Sequence, residues 1–250
     1  SEQIGPYEYI YESDYIGDIV IPSAVTVQSK TLTVTTIDSY TFYKCTDLTS
    51  VIIPNSIINI EDRAFYQCSN LESAIIGNNV TNIGNEAFYA CSNLTDIVIP
   101  DNVTNIGFGA FDECRSLKNV ILSNRITEIR GATFRGCNLT NITIPNSVIS
   151  IHSVAFVGNN ITCVTIPNSV MDIGISVFSS IKDLIIEDGS TILSLENVIA
   201  MSSDTFGSCE NIYFGRNIEG NYSFKEDLNL KNITFGNTVT SIREEEFNGC

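Results

Sequence analysis

Eight cysteines are the residues whose chemistry has to be decided first. Five of them recur every 23 residues from Cys45 to Cys137, and Cys209 and Cys250 stand in the same context, three residues after a phenylalanine. Equivalent cysteines in stacked coils would lie about 5 Å apart, within disulfide range, but their Cβ vectors would run parallel instead of crossing. A zinc site is poorly supported because the sequence has no C-x-x-C pair. We therefore expect neither disulfides nor a metal site, and we predict a ladder of small buried thiols.

The eighth cysteine, Cys163, stands apart from this ladder. It falls at an outward-facing position of a predicted strand, where side chains alternate between the two faces. It is therefore either a solvent-accessible thiol or a half-covered small residue.

Catalysis would need a convergent set of reactive groups, and the sequence does not indicate one. The single histidine, His152, lies in a turn and nothing beside it in sequence indicates a nucleophile pair. Carboxylates such as Asp18, Asp96 and Asp183 are spread along the chain. Glycine-rich phosphate loops and calcium loops are absent from the sequence. We predict no enzymatic activity and no cofactor; a carbohydrate-active site hidden in the loop 187–205 is the one alternative.

The charge of the chain restricts its partners. It has 13 Lys+Arg against 29 Asp+Glu, a net charge of −16 at pH 7. Such a surface does not neutralise phosphates, which argues against nucleic acid. Apolar runs of three or four residues are far below the roughly 20 of a membrane helix, so we expect no membrane insertion. Five cations make one local reversal of charge, either a solvated band or a contact for an acidic partner: Arg115, Lys118, Arg125, Arg130 and Arg135.

All these residues lie within a sequence that repeats itself. Phenylalanine recurs every 23 residues at positions 42, 65, 88, 111 and 134, then at intervals of 22 at 156 and 178, and irregularly afterwards. One unit, from Leu94, is LTDIVIPDNVTNIGFGAFDECRS. Because each unit has only one apolar edge, it must stack on its neighbours to bury it. The sequence therefore predicts a solenoid instead of one or two compact domains.

The unit also predicts its own secondary structure. The pattern L-x-x-I-x-I alternates as a half-buried strand does, and Pro or Gly then ends the strand. The segment around the phenylalanine is long enough for one or two helical turns only. We predict a parallel sheet on one face, with short helical or 3₁₀ turns and loops on the other. The predicted strands are Ile16–Pro22, Leu48–Pro54, Leu71–Gly77, Leu94–Pro100, Leu117–Ser123, Leu139–Pro145, Ile161–Pro167, Ile181–Glu187, Cys209–Gly215 and Leu230–Gly236.

One outward-facing position of these strands is the candidate binding site. It forms a row of β-branched residues with one tyrosine: Val20, Ile52, Ile75, Val98, Ile121, Thr143, Thr165, Ile185, Tyr213 and Thr234. An apolar row between polar ones is typical of an extended binding surface. The alternative is that β-branched residues are there only because they favour strands.

The two ends of the chain depart from the repeat. We divide the sequence into residues 1–47, an N-terminal cap and first coil with an inserted β-hairpin around QSK, and residues 48–250, the solenoid, which is irregular after residue 178. Nothing near Cys250 has the polar character of a solenoid cap. We therefore expect either that the chain continues or that this end associates with another molecule.

Units such as LTSVIIPNSIINIEDRAFYQCSN resemble the BspA-like leucine-rich repeats, and the resemblance covers residues 16–250. It implies a curved right-handed solenoid and a secreted or cell-surface protein, and it carries no catalytic residues. Relatives are linked to adhesion, so the resemblance implies a scaffold that recognises extracellular proteins or glycans of host or bacterial surfaces. The alternative function is a structural spacer or stalk that presents another domain.

Overall fold

The computed structural model describes residues 15–179, 181–195, 207–220 and 229–242. In these ranges the chain forms twenty strands, numbered in chain order. They are β1 (Gly17–Val20), β2 (Ala24–Val27), β3 (Lys30–Thr33), β4 (Thr36–Ile37), β5 (Leu48–Ile52), β6 (Asn59–Ile60), β7 (Ser73–Ile75), β8 (Asn82–Ile83), β9 (Asp96–Val98), β10 (Asn105–Ile106), β11 (Asn119–Ile121), β12 (Glu128–Ile129), β13 (Ser150–Ile151), β14 (Cys163–Ile166), β15 (Asp172–Ile173), β16 (Ile181–Ile186), β17 (Leu193–Leu195), β18 (Gly207–Phe214), β19 (Ile218–Gly220) and β20 (Asn232–Phe235).

The predicted parallel sheet is confirmed. Equivalent strands of successive coils pair in the orders β1-β5-β7-β9-β11 and β14-β16-β18-β20. The register joins repeat positions, as in Val51 beside Ala74, and both of these inward-facing residues are buried. Because the pleat alternates, their neighbours on the strand face away from the core. The solenoid fold thus follows from the repeat.

One of the ten predicted strands is wrong. Residues Leu139–Pro145 contain no strand, and the sheet is interrupted between β11 and β14. In the coil before, Leu117 lies three positions after Cys114, whereas Leu139 lies only two positions after Cys137. Within the segment the apolar spacing is that of the other coils, but no ladder of paired strands joins it to β11 or β14. Ile142 and Ile144 stay buried, so the coil still closes the core.

A second parallel ladder was not predicted. The apolar residues Val103 and Ile106, which follow β9, are both buried. The residues Asn105–Ile106 also form the short strand β10, and equivalent dipeptides pair in the orders β10-β8-β6-β4 and β12-β13-β15-β17-β19. Most of the described coils thus contribute to two sheets, and the core lies between them.

The predicted helical turns around the phenylalanines are also wrong, since the described residues contain no helix. Each early coil instead holds two residues of positive φ four positions apart, such as Arg63 (57°) and Gln67 (57°). A left-handed residue cannot continue a right-handed helix, so the segment closes as consecutive turns. The phenylalanine rings from position 42 to 178 stack with centroids 4.9–5.6 Å apart and interplanar angles of 2–9°.

The hairpin near the N-terminus is present at the predicted place. β2 and β3 pair antiparallel across Gln28 and Ser29, whose φ angles of 48° and 65° are those of the tight turn that suits a hairpin. Its strand side chains are exposed. The rest of the predicted cap (residues 1–14), most of the loop 187–205 and the end around Cys250 lie outside the described residues, and the division at residue 47 stays a prediction.

Candidate binding surface

The first half of the predicted row lies on five neighbouring strands. Val20 pairs with Ile52, Ile52 with Ile75, and Val98 with Ile121, on the consecutive strands β1, β5, β7, β9 and β11. These five aliphatic side chains are between 41% and 66% exposed. At a strand spacing of about 4.8 Å the row is roughly 19 Å long. We call these five residues the aliphatic row.

The strand pleat puts the aliphatic row on the surface. Ile75 faces solvent because its neighbours Ala74 and Ile76 face the core, where both are buried. Stacked phenylalanines such as Phe42, Phe65 and Phe88 lie in the core of the same coils. The row therefore lies on strands of a sheet and not on loops.

The second half of the predicted row differs. Thr143 is exposed but lies in the segment without a strand, and Thr165 and Tyr213 are half-buried. Tyr213 donates its hydroxyl hydrogen bond to the Asp188 carboxylate (2.9 Å), which raises the pKa of the tyrosine. Ile185 is 37% exposed and Thr234 is exposed. The structure thus divides the ten predicted residues into an aliphatic half and a mixed half.

A polar column runs beside the aliphatic row. Its members are linked along the solenoid: Ser50 donates to Asp18 (2.6 Å), and Asn119 donates to Asp96. Hydrogen bonds from Ser50 and Thr49 lower the pKa of Asp18. Those from Thr95 and Asn119 lower the pKa of Asp96. Both carboxylates are therefore ionised at neutral pH and border the row with negative charge.

The five predicted basic residues do not form one patch. They are distributed around the circumference of the coils: Lys118 precedes β11, Arg125 follows it in a turn, and Arg130 follows β12. Three of the five contact carboxylates, in the pairs Arg115–Glu113 (2.9 Å), Arg130–Glu128 (3.5 Å) and Arg135–Asp112 (2.6 Å). Arg125 donates to the amide oxygen of Asn102 at 3.1 Å. The reversal of charge seen in sequence is thus largely neutralised locally.

His152 is half-exposed and directly follows β13. Its Nε2 lies 3.5 Å from the carboxylate of Glu128 and 3.5 Å from the hydroxyl of Ser150. Both contacts use the same ring nitrogen, whereas a catalytic relay needs one partner on each nitrogen. A shallow depression beside it is lined by residues 150–153 and 172–175. Among the described residues, no three His, Cys, Asp or Glu side chains are grouped to hold a metal ion.

The cysteine ladder lies in the core. Cys45, Cys68, Cys91, Cys114, Cys137 and Cys209 are buried. A thiol donates to the carbonyl of a phenylalanine in the coil before, as Cys68 does to Phe42 (3.0 Å) and Cys91 to Phe65 (3.2 Å). Burial raises the pKa of Cys45 to about 11 and that of Cys114 still further. Cys163 is exposed, so the first of its two predicted alternatives is correct.

Two polar networks were missed in sequence. Arg63 donates to Glu86 (2.7 Å) and to the hydroxyl of Tyr40 (2.8 Å), three residues that recur every 23 positions. Arg216 is 1% exposed, and its guanidinium donates to the carbonyls of Pro167 and Asn168 and to the hydroxyl of Thr191. The 23-residue spacing could have revealed the first network. Nothing in the local sequence marks the second.

Comparison with known proteins identifies the repeat. The family model described as "BspA type Leucine rich repeat region" matches in six copies over residues 3–137, 106–219 and 217–250. No curated protein matches the sequence. Helices with the length and hydrophobicity of a membrane span do not occur in the part of the chain that the structure describes.

Solved structures share the fold. A leucine-rich cell-surface protein from Faecalibacterium prausnitzii is 26% identical, with a TM-score of 0.60 over 93% of this chain and 73% of that chain. The pneumococcal vaccine antigen PcpA is 22% identical, with a TM-score of 0.53 over 93% of this chain and 63% of that chain. The second likeness concerns the fold alone.

Proposed function

The chain belongs to the BspA-type leucine-rich repeat family, and from this premise we propose that it is a non-enzymatic binding scaffold exposed outside the cell. Its partners are extracellular proteins or glycans of host or bacterial surfaces. Binding uses many weak contacts along the sheet face and no single pocket. An extracellular location is supported by the likeness to a leucine-rich cell-surface protein.

The observation that carries this proposal is the exposure of the aliphatic row. Strand propensity favours β-branched residues, but threonine satisfies it as well as valine or isoleucine does. This chain places threonine at the same repeat position in three of its five later coils, at Thr143, Thr165 and Thr234. The first five coils place aliphatic side chains there and leave them in solvent. A contiguous exposed apolar patch bordered by polar residues is typical of an interaction site.

The alternative function is a spacer or stalk. A stacked, hydrogen-bonded solenoid would serve that role equally well, and its outward residues would then tolerate polar substitution. The difference between the aliphatic row and the threonines favours binding, because a spacer has no use for apolar side chains on one half of one face.

The test is a binding screen on arrays of host extracellular proteins, bacterial surface proteins and glycans. We expect hits for the wild-type chain that are lost in Ile75→Asp. The control is Ile58→Asp, because Ile58 is also partly exposed (44%) but lies next to β6, outside the row. Melting temperatures check that both variants fold. An absence of any hit, or hits that both variants retain, would contradict the binding function and favour the spacer.

A further inference from the structure

We propose that the aliphatic row binds an amphipathic helix of a partner protein, with one apolar side chain per helical turn and basic residues on both flanks. The helix axis runs along the solenoid, across the strands. This inference rests on the proposed function and specifies the partner of the same surface.

The spacing of the row selects a helix over an extended peptide. The row presents one side chain per strand, at intervals of about 4.8 Å. A helix laid across the strands presents one apolar residue per turn, at intervals of about 5.4 Å. An extended strand in the same direction presents same-face residues at intervals of about 6.7 Å and loses register after two contacts. A helix of about 13–15 residues therefore matches the roughly 19 Å from Val20 to Ile121.

The chemistry of the row selects an apolar peptide over a glycan. Its five side chains are valine and isoleucine, with no aromatic ring and no hydrogen-bonding group. Aliphatic side chains gain from contact with other apolar surface, whereas a sugar would find neither ring faces nor polar partners on them. Insertion of the apolar face of a helix into such a surface is a known mode of peptide recognition.

The charges beside the row select basic flanks. Asp18, Glu72 and Asp96 are exposed on one side of the row, and Asp101 is exposed in the turn on the other side. Lys118, which directly precedes β11, is a cation that is exposed on the same face. Carboxylates thus border the row beside β1, β7 and β9, and complementary lysine or arginine residues on the helix would speed association and fix orientation.

The experiment uses a labelled 15-residue peptide with leucine at positions 1, 4, 8, 11 and 15 and only lysine and alanine elsewhere. The matched probe has the same composition with leucine at alternate positions. Fluorescence anisotropy measures binding of each peptide to the whole chain and to its variants. Ile75→Thr copies the later coils and removes apolar surface with little risk to folding; Ile58→Asp is the control outside the row. Glu72→Gln removes one flanking charge.

We expect the helical probe to bind at least tenfold more tightly than the alternate probe. Ile75→Thr should weaken binding of the helical probe severalfold and Ile75→Asp at least tenfold, while Ile58→Asp leaves this binding unchanged. Glu72→Gln should weaken it and reduce its salt dependence. Equal binding of both probes, or no effect of the row variants on binding, would overturn the proposal that the aliphatic row binds a helix.

The arrays separate this inference from the proposed function. One outcome is that glycans or non-helical peptides bind and lose that binding in Ile75→Asp, while the helical probe does not bind. In that case the scaffold function stands and the proposal of a helical partner is wrong. If nothing binds in any format, both are wrong.

Discussion

The amide oxygen of Asn159 accepts a hydrogen bond from the backbone N–H of Leu139 in the coil before (3.0 Å). In full-length coils this N–H has a local acceptor, as Leu117 N–H donates to the carbonyl of Cys114 (2.9 Å). The missing residue between Cys137 and Leu139 removes that acceptor. The Asn159 side chain replaces it, and its NH₂ donates to the Phe134 carbonyl (2.7 Å) as a ladder thiol would. The loss of the cysteine and the shortening of the coil are thus two parts of one adjustment.

Asn159→Cys should therefore destabilise the protein although it restores the repeat. A thiol can still donate to the Phe134 carbonyl, but it is a poor acceptor, so a buried N–H loses its partner at a cost of about 1–3 kcal/mol. The midpoint of urea unfolding, followed by circular dichroism, measures the change. Cys91→Ser, which keeps a donor toward the Phe65 carbonyl, is the control and should cost less. Equal or greater stability of Asn159→Cys would contradict this explanation.

Arg135→Met should destabilise the fold at neutral pH but less so in acid. Asp112 is 3% exposed and its carboxylate pairs with Arg135. Burial raises the pKa of Asp112, against the opposing effect of Arg135. Without the arginine the buried carboxylate is unpaired, and we expect a loss of about 1–3 kcal/mol, since Arg135 is partly exposed and solvent moderates the pairing.

The sign of the pH dependence follows from the raised pKa of Asp112. The folded chain takes up a proton at a higher pH than the unfolded chain, so the penalty is present above the folded pKa and disappears as the pH falls through it. Urea midpoints between pH 7 and pH 4 test this. The double variant Asp112→Asn with Arg135→Met has no charge at this site. Its loss of unfolding free energy should therefore be smaller and independent of pH. If Arg135→Met lowers the stability by the same amount at every pH, an unpaired Asp112 carboxylate is not the cause.

Cys163 should react with a thiol reagent in the native protein while the described ladder cysteines do not. Its side chain is exposed, whereas burial shields the ladder and raises the pKa of Cys45, Cys91, Cys114 and Cys137, which lowers their thiolate fraction. Labelling with iodoacetamide at pH 8, followed by peptide mapping, distinguishes the sites. After unfolding in guanidinium all of these thiols should be labelled. Native labelling of Cys91 at the rate of Cys163 would show that the ladder opens.

Arg216→Met should loosen the later coils selectively. The substitution removes the hydrogen bonds from the guanidinium to Pro167, Asn168 and Thr191, two of them to backbone carbonyls buried near the loop after β16. Removal of these donors costs about 2–4 kcal/mol in a buried network. Hydrogen exchange should rise in β14, β16 and β18 and stay unchanged in β5–β9, because the Arg216 contacts span only the coils that contain Pro167, Thr191 and Arg216 itself. Uniform changes along the whole chain would contradict a local role.

The sequence by itself determined the stacking of equivalent positions. The 23-residue period puts Phe65 on Phe88 and Ile52 beside Ile75, and the strand alternation decides that Ile52 and Ile75 face outward. The burial of the ladder cysteines also follows from the period, because each lies three residues after a phenylalanine that packs inward. These features need only identical coils in register.

Only the tertiary structure decided the features that depend on backbone handedness or on unequal coils. The left-handed residues Arg63 and Gln67 replace the predicted helical turn, although neither residue type indicates a positive φ. No strand forms at Leu139–Pro145 although the segment keeps the apolar alternation of the repeat, and the hydrogen bond from Leu139 to Asn159 comes from the next coil. A repeat pattern specifies which positions meet between equal coils. Where coils differ in length, the partners of each buried polar group are set by the three-dimensional path of the chain.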